Sequence, residues 1–134
     1  PDAVKRYRDK ISGPLLDRID LTIEVPVLPA ADLTSSQAGE SSATVRQRVI
    51  RAREIQYQRQ GKTNAKLLPS ELDTLAQIDD EAKQALAQML EKLSLSARSF
   101  HRILRVSRTL ADLAGDTVVT RGHVLQAIGF RRAI

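Results

Sequence analysis

The 134-residue chain contains no cysteine and no tryptophan, and aromatic residues make up only 3% of it. Without cysteine, neither disulfides nor thiolate metal sites can form. The two histidines, His101 and His123, are too few for a histidine-rich metal site, so the sequence predicts no bound metal. A core without large rings has to be built from Leu, Ile, Val and Ala, which favours packed helices over a β-sandwich.

Long apolar runs are also missing, because no stretch approaches the roughly 20 residues of a membrane span. The first residues do not resemble a signal peptide, so we expect a cytoplasmic protein without a membrane partner. Positive charge is in excess, with 21 Lys and Arg against 16 Asp and Glu and a net charge of +5. This excess favours an anionic partner and does not distinguish nucleic acid from nucleotide phosphates or an acidic protein face.

The first part of the chain predicts a charged helix over residues 2–11, a helical turn over 15–18 and one strand over 20–25. In residues 20–25 (DLTIEV), apolar and polar side chains alternate with the period of a strand, and Pro26 ends the pattern. A single strand cannot satisfy its own peptide groups, and no second convincing strand follows. Its partner strands are therefore expected outside this chain or on another chain.

The remainder of the chain predicts a helical domain after a linker. Residues 29–43 are rich in Ser, Ala and Gly, which is typical of a flexible linker. We therefore divide the chain into residues 1–28, a linker at 29–43 and a helical domain at 44–134. Cap residues and apolar periodicity place the helices at about 45–60 after Thr44, 70–76 after Pro69, 80–93, 96–114 after Ser96, and 121–131 after Thr120.

The helix at 45–60 carries a cluster of arginines that makes it the candidate nucleic-acid surface. The candidates are Arg46, Arg48, Arg51 and Arg53. Guanidinium groups bind phosphates well, and contacts between subunits are the alternative role for these arginines.

The helix at 96–114 separates its residues into an apolar and a polar face. At ~100° per residue, the apolar side is formed by Phe100, Ile103, Leu104, Ser107, Leu110, Ala111 and Ala114. Arg98, Arg102 and Arg105 lie on the opposite side, flanked by Arg108 and Asp112. Arg98 is in the first turn, where the helix N-terminus favours an anion. This end of the helix is therefore a candidate phosphate site, and a solvated polar face is the alternative.

Three stretches resemble one protein family in both order and spacing. They are residues 12–21 (SGPLLDRIDL), 95–113 (LSARSFHRILRVSRTLADL) and 123–131 (HVLQAIGFR). All three are similar to segments of the magnesium-chelatase-like AAA+ ATPases, and most of all to the bacterial ComM/YifB group, whose members are linked to DNA processing in natural transformation.

The resemblance implies that residues 1–28 are the end of an AAA+ core, and that residues 44–134 are its helical lid. Arg18 matches the arginine finger, which reaches the γ-phosphate bound by the neighbouring subunit. Arg98 matches the sensor-2 arginine, which contacts an ATP phosphate. For the full-length protein, the resemblance implies ATP and Mg²⁺ as cofactors, a homo-oligomeric ring that we expect to be a hexamer, and DNA as a partner.

The sequence itself contains neither a GxxxxGKS/T loop nor an apolar strand that ends in paired acidic residues. We therefore expect an ATP-hydrolysing parent protein, and a chain that alone is inactive and holds no cofactor. Two other interpretations stay open: a stand-alone basic helical module that binds nucleic acid, and the lid of a chelatase-type ATPase that remodels a protein partner. Structural ion pairs are the alternative for both arginines, between Arg18 and Asp17 or Asp20, and between Arg98 and Glu91 or another carboxylate.

Overall fold

A computed structural model of the chain describes residues 13–16, 18–27 and 39–131. The predicted helix at 2–11, Asp17 and most of the predicted linker lie outside these ranges. The described part is mainly helical, as predicted. Its helices are α1 (Gly13–Leu16), α2 (Ser42–Gln60), α3 (Pro69–Leu75), α4 (Asp80–Lys92), α5 (Ala97–Ala114) and α6 (Arg121–Gly129), with a 3₁₀ turn at Asn64–Lys66.

Most helix ends lie close to where the cap residues predict them. Asp79 accepts a hydrogen bond from the Ala82 amide at 2.7 Å at the start of α4, and Ser96 accepts one from the Ser99 amide at 3.2 Å at the start of α5. Gly61 and Gly115 end α2 and α5 in the left-handed conformation, at φ 70° and 81°. Glycine adopts that conformation without steric penalty, which is why it stops a helix.

The start of α2 differs from the prediction. The N-cap is Ser41, whose hydroxyl accepts a hydrogen bond from the Thr44 amide at 3.2 Å, so Thr44 is not the cap. The helix therefore begins at Ser42, inside the predicted linker. Serine and threonine are both good caps, and the sequence offers both within a few residues, so the pattern alone does not choose between them.

The core lies where α4, α5 and α6 meet. α5 packs against α6 and α2, and α4 packs against α6. The main cluster of buried side chains comprises Ala82, Leu86, Ile103, Ala111, Val119, Val124, Ala127 and Ile128. A second cluster, formed by Leu67, Leu72, Ala76 and Leu104, joins α3 to α5. Both clusters are made of aliphatic side chains, as the scarcity of aromatic residues predicts.

The predicted strand over 20–25 is not formed. Residues 21–27 adopt no regular secondary structure, and no β-sheet occurs in the described ranges, where the only ladder-like contact is an isolated bridge between Ile78 and Val119. The Thr22 amide instead donates a hydrogen bond to the Phe130 carbonyl at 2.8 Å. A strand is defined by a partner that accepts and donates along its edge, and the described residues supply no such neighbour.

Candidate functional site

The turn that carries Arg18 follows α1 directly. The Arg18 amide donates a hydrogen bond to the Leu15 carbonyl at 3.0 Å, which closes the turn. The Arg18 side chain is exposed, and the ion pairs found among the described residues do not include it. Its predicted alternative partner Asp20 pairs with Arg102 instead, and Asp17 lies outside the described residues. A guanidinium on an exposed, hydrogen-bonded turn is well placed to contact an anion presented by another molecule.

Arg102 of α5 holds the Arg18 turn. Its Nη1 atom donates a hydrogen bond to the Arg18 carbonyl and is 2.5 Å from Oδ1 of Asp20. One Nη1 group carries two protons, so it can serve both acceptors at once. Asp20 is more exposed than Arg102, with 58% of its side chain accessible against 23%. The helix that contains Arg98 is therefore joined directly to the turn that contains Arg18.

A groove lies between residues 20–21 and the packed helices. Its volume is about 420 Å³, and it is lined mainly by apolar side chains, among them Leu21, Val106, Leu110, Leu113 and Phe130. The Thr22–Phe130 hydrogen bond and the Arg102–Asp20 ion pair tie residues 20–22 to the packed helices. The residues after Thr22 turn their apolar side chains to solvent, with exposed fractions of 70% at Ile23, 85% at Val25 and 94% at Val27.

Arg98 lies in the first turn of α5 and is exposed, as the helix wheel predicts. Arg102 is one helical turn further along the same face. The remaining member of the predicted stripe, Arg105, has a structural role, because its Nε and Nη2 atoms donate to the Leu67 carbonyl at 3.0 and 2.7 Å. Arg98 is the exposed member at the N-terminal end of the stripe. Arg102 and Arg105 bind backbone carbonyls.

The four candidate arginines of α2 are all exposed, and they point in different directions. At ~100° per residue, Arg46 and Arg53 share one side of the helix, and Arg51 lies on nearly the opposite side. Arg48 is paired with Glu40 through both of its terminal nitrogens, the second at 2.9 Å from Oε2. Arg46 and Arg53 are therefore the pair best arranged to meet one phosphate backbone.

A buried polar network joins α2, the 3₁₀ turn and α5, and the helix wheel does not predict it. Arg108 and Asp112, expected to flank an exposed stripe, are buried, at 0% and 3% exposure. Arg59 pairs with Asp112 through Nη1 at 2.6 Å and Nη2 at 3.0 Å, and Asn64 donates to Asp112 at 2.8 Å. The prediction was wrong because α2 and the 3₁₀ turn cover this side of α5, which therefore packs on two faces.

The same network closes the C-terminal end of α5. Arg108 donates to the carbonyls of Ala76, Thr117 and Asp116 at 3.2, 2.7 and 2.5 Å. Burial lowers the pKa of Arg108, and the neighbouring Asp112 charge opposes this effect. Burial raises the pKa of Asp112, but hydrogen bonds from Arg59 and Asn64 and the charge of Arg108 outweigh burial and hold it below its usual range. The signal in the sequence was the four-residue spacing of Arg108 and Asp112.

Comparison with known proteins places this arrangement in a family. The family model described as magnesium chelatase, subunit ChlI C-terminal, matches residues 39–131, and the model described as magnesium chelatase, subunit ChlI, matches residues 1–33. The chain therefore belongs to the magnesium-chelatase-like AAA+ family, in its ComM/YifB group, and its helices form the helical lid of an AAA+-type ATPase.

Curated relatives match across nearly the whole chain. Competence protein ComM of Haemophilus influenzae is 44% identical over 135 residues, which cover 100% of this chain and 26% of the relative. The uncharacterized protein YifB of Escherichia coli is 42% identical over 132 residues, or 98% of this chain and 26% of the relative. An uncharacterized protein of Mycobacterium tuberculosis is 39% identical over 132 residues, with coverage of 96% and 26%. The chain thus spans about a quarter of the length of these relatives.

None of the helices in the described ranges is both long enough and apolar enough to cross a bilayer.

Proposed function

We propose that this chain is the lid region of a ring-forming AAA+ motor that processes DNA in the cytoplasm. In this proposal, identical subunits assemble into a ring, for which we expect six members. Arg18 acts as the arginine finger toward the nucleotide of the neighbouring subunit, and Arg98 acts as the sensor-2 arginine. The observation that carries the proposal is the exposed Arg18 turn held by the Arg98-bearing helix, in a chain of this family.

The charges of both arginines suit phosphate groups. Phosphoryl transfer develops negative charge on the transferred group, and a positioned guanidinium stabilises that charge. Arg18 and Arg98 would hold ATP by its phosphate groups, and ATP with Mg²⁺ would supply the reacting phosphoryl group and positive charge to balance its oxygens. The chain's own contribution is positional: Arg18 is presented on a closed turn, and Arg98 is presented in the first turn of a helix, whose N-terminal amides also favour an anion.

The exposure of residues 23–27 supports the assignment of residues 1–28 to the end of an AAA+ core. In this stretch the apolar residues Ile23, Val25 and Val27 alternate in sequence with Glu24 and Pro26, and all of them are exposed. Apolar side chains left together in solvent indicate a surface that another part of a protein covers. We propose that partner strands elsewhere in the full-length protein cover it.

The DNA assignment rests on the exposed arginines of α2 and on the printed name of the Haemophilus influenzae relative as a competence protein. The family description favours a second candidate, the lid of a chelatase-type motor that remodels a protein partner. A stand-alone nucleic-acid-binding module gains no support from two consecutive matches to an ATPase family.

ATP hydrolysis by the full-length protein, measured with and without DNA, tests the proposal. A DNA-processing motor is expected to hydrolyse ATP faster in the presence of DNA. A rate that DNA leaves unchanged over a range of low salt concentrations would refute the DNA assignment and favour the protein-remodelling alternative.

A further inference from the structure

Arg102 makes a contact that neither the family pattern nor the helix wheel assigns to it. It lies on the polar face of α5, where a solvated arginine is the simple expectation, yet its Nη1 atom reaches back across 84 residues of sequence to the Arg18 carbonyl. The same atom is 2.5 Å from Oδ1 of Asp20, two residues after Arg18. Both acceptors therefore lie on the peptide segment that sets the direction of the Arg18 side chain.

The exposure of this contact argues against a role in holding the fold together. Asp20 is more than half exposed and Arg102 is about a quarter exposed, and ion pairs in such surroundings contribute little to global stability. The core of the bundle lies elsewhere, among the aliphatic side chains of α4, α5 and α6. What the contact does restrict is the backbone from the Arg18 carbonyl to Asp20.

We infer that Arg102 is a positioning residue for Arg18, fixing the arginine-finger turn to the lid helix one helical turn from Arg98. This inference rests on the proposed function of Arg18. Because a displacement of about 1 Å at a reacting group can reduce a rate about 100-fold, a turn that is free to move presents the guanidinium at the wrong place. Arg102 acts through Arg18 and does not itself touch the nucleotide.

If Arg102 positions Arg18, its substitution in the full-length protein should change kcat for ATP hydrolysis more than KM. Arg102→Ala is expected to lower kcat for ATP hydrolysis by about tenfold to 100-fold, with KM for ATP changed less than about twofold, because Arg102 makes no ground-state contact with ATP. The melting temperature should stay close to that of the unsubstituted protein. Arg102→Lys keeps a donor and a cation but not the planar guanidinium, and should recover part of the lost rate.

A double-mutant cycle with Arg18→Ala separates positioning from an independent effect. If Arg102 acts only through Arg18, the double variant should be no slower than Arg18→Ala alone. Arg121→Ala removes another exposed arginine of the bundle and is the matched control, with an unchanged rate.

Each failure has a distinct signature. An unchanged kcat in Arg102→Ala, beside a large loss in Arg18→Ala, would overturn the positioning role and leave the proposed function standing. Unchanged turnover in Arg18→Ala would overturn both. A rate loss in Arg102→Ala that is fully retained in the Arg18→Ala background, or a large fall in melting temperature, would also overturn the inference, since Arg102 would then act independently or hold the fold.

Discussion

The Nε atom of Arg108 lies 3.1 Å from Oδ1 of Asp112, one helical turn along α5, and both side chains are buried. Asp112 also binds Arg59 of α2 and Asn64 of the 3₁₀ turn. Three separate parts of the chain are thus connected through one carboxylate. In a protein whose core is otherwise small and aliphatic, this carboxylate determines how α2 is held against α5.

Asp112→Ala should strongly destabilise the bundle. The substitution leaves Arg108 with a buried charge and Arg59 with a partly buried one, and breaking a buried pair from one side typically costs about 3–5 kcal/mol. Urea unfolding of the chain measures the effect. Asp73→Ala, at an exposed position of α3, is the control and should change the free energy of unfolding by less than about 0.5 kcal/mol. Equal effects of the two substitutions would show that the Asp112 network does not contribute to the free energy of unfolding.

Acid should weaken the fold through the same group. The pKa of Asp112 in the folded chain is lowered from its ordinary value of 3.8, so the unfolded chain binds its proton at a higher pH than the folded chain does. The stabilisation is therefore present above about pH 4 and is lost as the pH falls through the lower folded pKa. Unfolding free energies measured from pH 6 downward should fall more steeply for the natural sequence than for Asp112→Asn. Identical slopes would show that Asp112 is not the titrating group.

DNA binding by the chain should be weak, independent of sequence and strongly dependent on salt. The exposed Arg46 and Arg53 contact phosphates in our proposal, and phosphate contacts release counterions, which gives a slope of about −0.9 per contact in a plot of log affinity against log salt. The double substitution Arg46→Ala with Arg53→Ala should reduce that slope by nearly 2. Arg48→Ala is the matched control, because Arg48 is already paired with Glu40.

Two results would argue against this surface. Tight binding that salt leaves unchanged would contradict an electrostatic contact. Absence of binding even at low salt would assign the arginines of α2 to contacts between subunits instead.

Arg98→Ala in the full-length protein should lower ATP turnover on the order of 100-fold, which is the usual effect of removing one donor to a developing charge. The melting temperature should change little, because the exposed side chain fills no part of the core. Steady-state hydrolysis at saturating ATP and thermal unfolding measure the two effects. Unchanged turnover would remove Arg98 from the site, and a large fall in melting temperature would favour a structural ion pair.

The sequence predicts the helices well because their caps are local. Asp79, Ser96 and the two C-terminal glycines act on amides and carbonyls within a few residues, so short-range patterns are sufficient to locate them. The predicted inner face of α5 is likewise buried at Ile103, Leu104 and Ala111. Ala114, which the helix wheel places on that face, is exposed.

Contacts between residues that are far apart in the sequence could not be predicted from local patterns. A helix wheel assigns one buried face, whereas α5 packs on two, so Arg108 and Asp112 were placed at the edge of an exposed stripe. Arg102 and Arg105 bind carbonyls that are 84 and 38 residues away, and no local period encodes such pairs. The predicted strand over 20–25 failed for a related reason, since a strand requires a neighbour to pair with and the described residues supply none.

Arg18 is the proposed arginine finger, and its substitution in the full-length protein is the first part of the test. Removing an arginine finger typically reduces hydrolysis on the order of 10³-fold or more. Arg18→Ala should therefore nearly abolish turnover, while ATP binding and the melting temperature are largely unchanged, because the side chain is exposed on a turn.

Mixing two inactive variants tests whether Arg18 acts on the neighbouring subunit. One variant carries Arg18→Ala and keeps the GxxxxGKS/T phosphate-binding loop that we expect elsewhere in the full-length protein. The other variant has this loop disabled and keeps Arg18. Wherever an intact finger faces an intact pocket in a mixed ring, ATP hydrolysis should return, and we predict that the mixture recovers a measurable part of the original rate. Failure to recover any activity in rings shown to exchange subunits, or full turnover by Arg18→Ala alone, would contradict the assignment of Arg18 as a finger acting in trans.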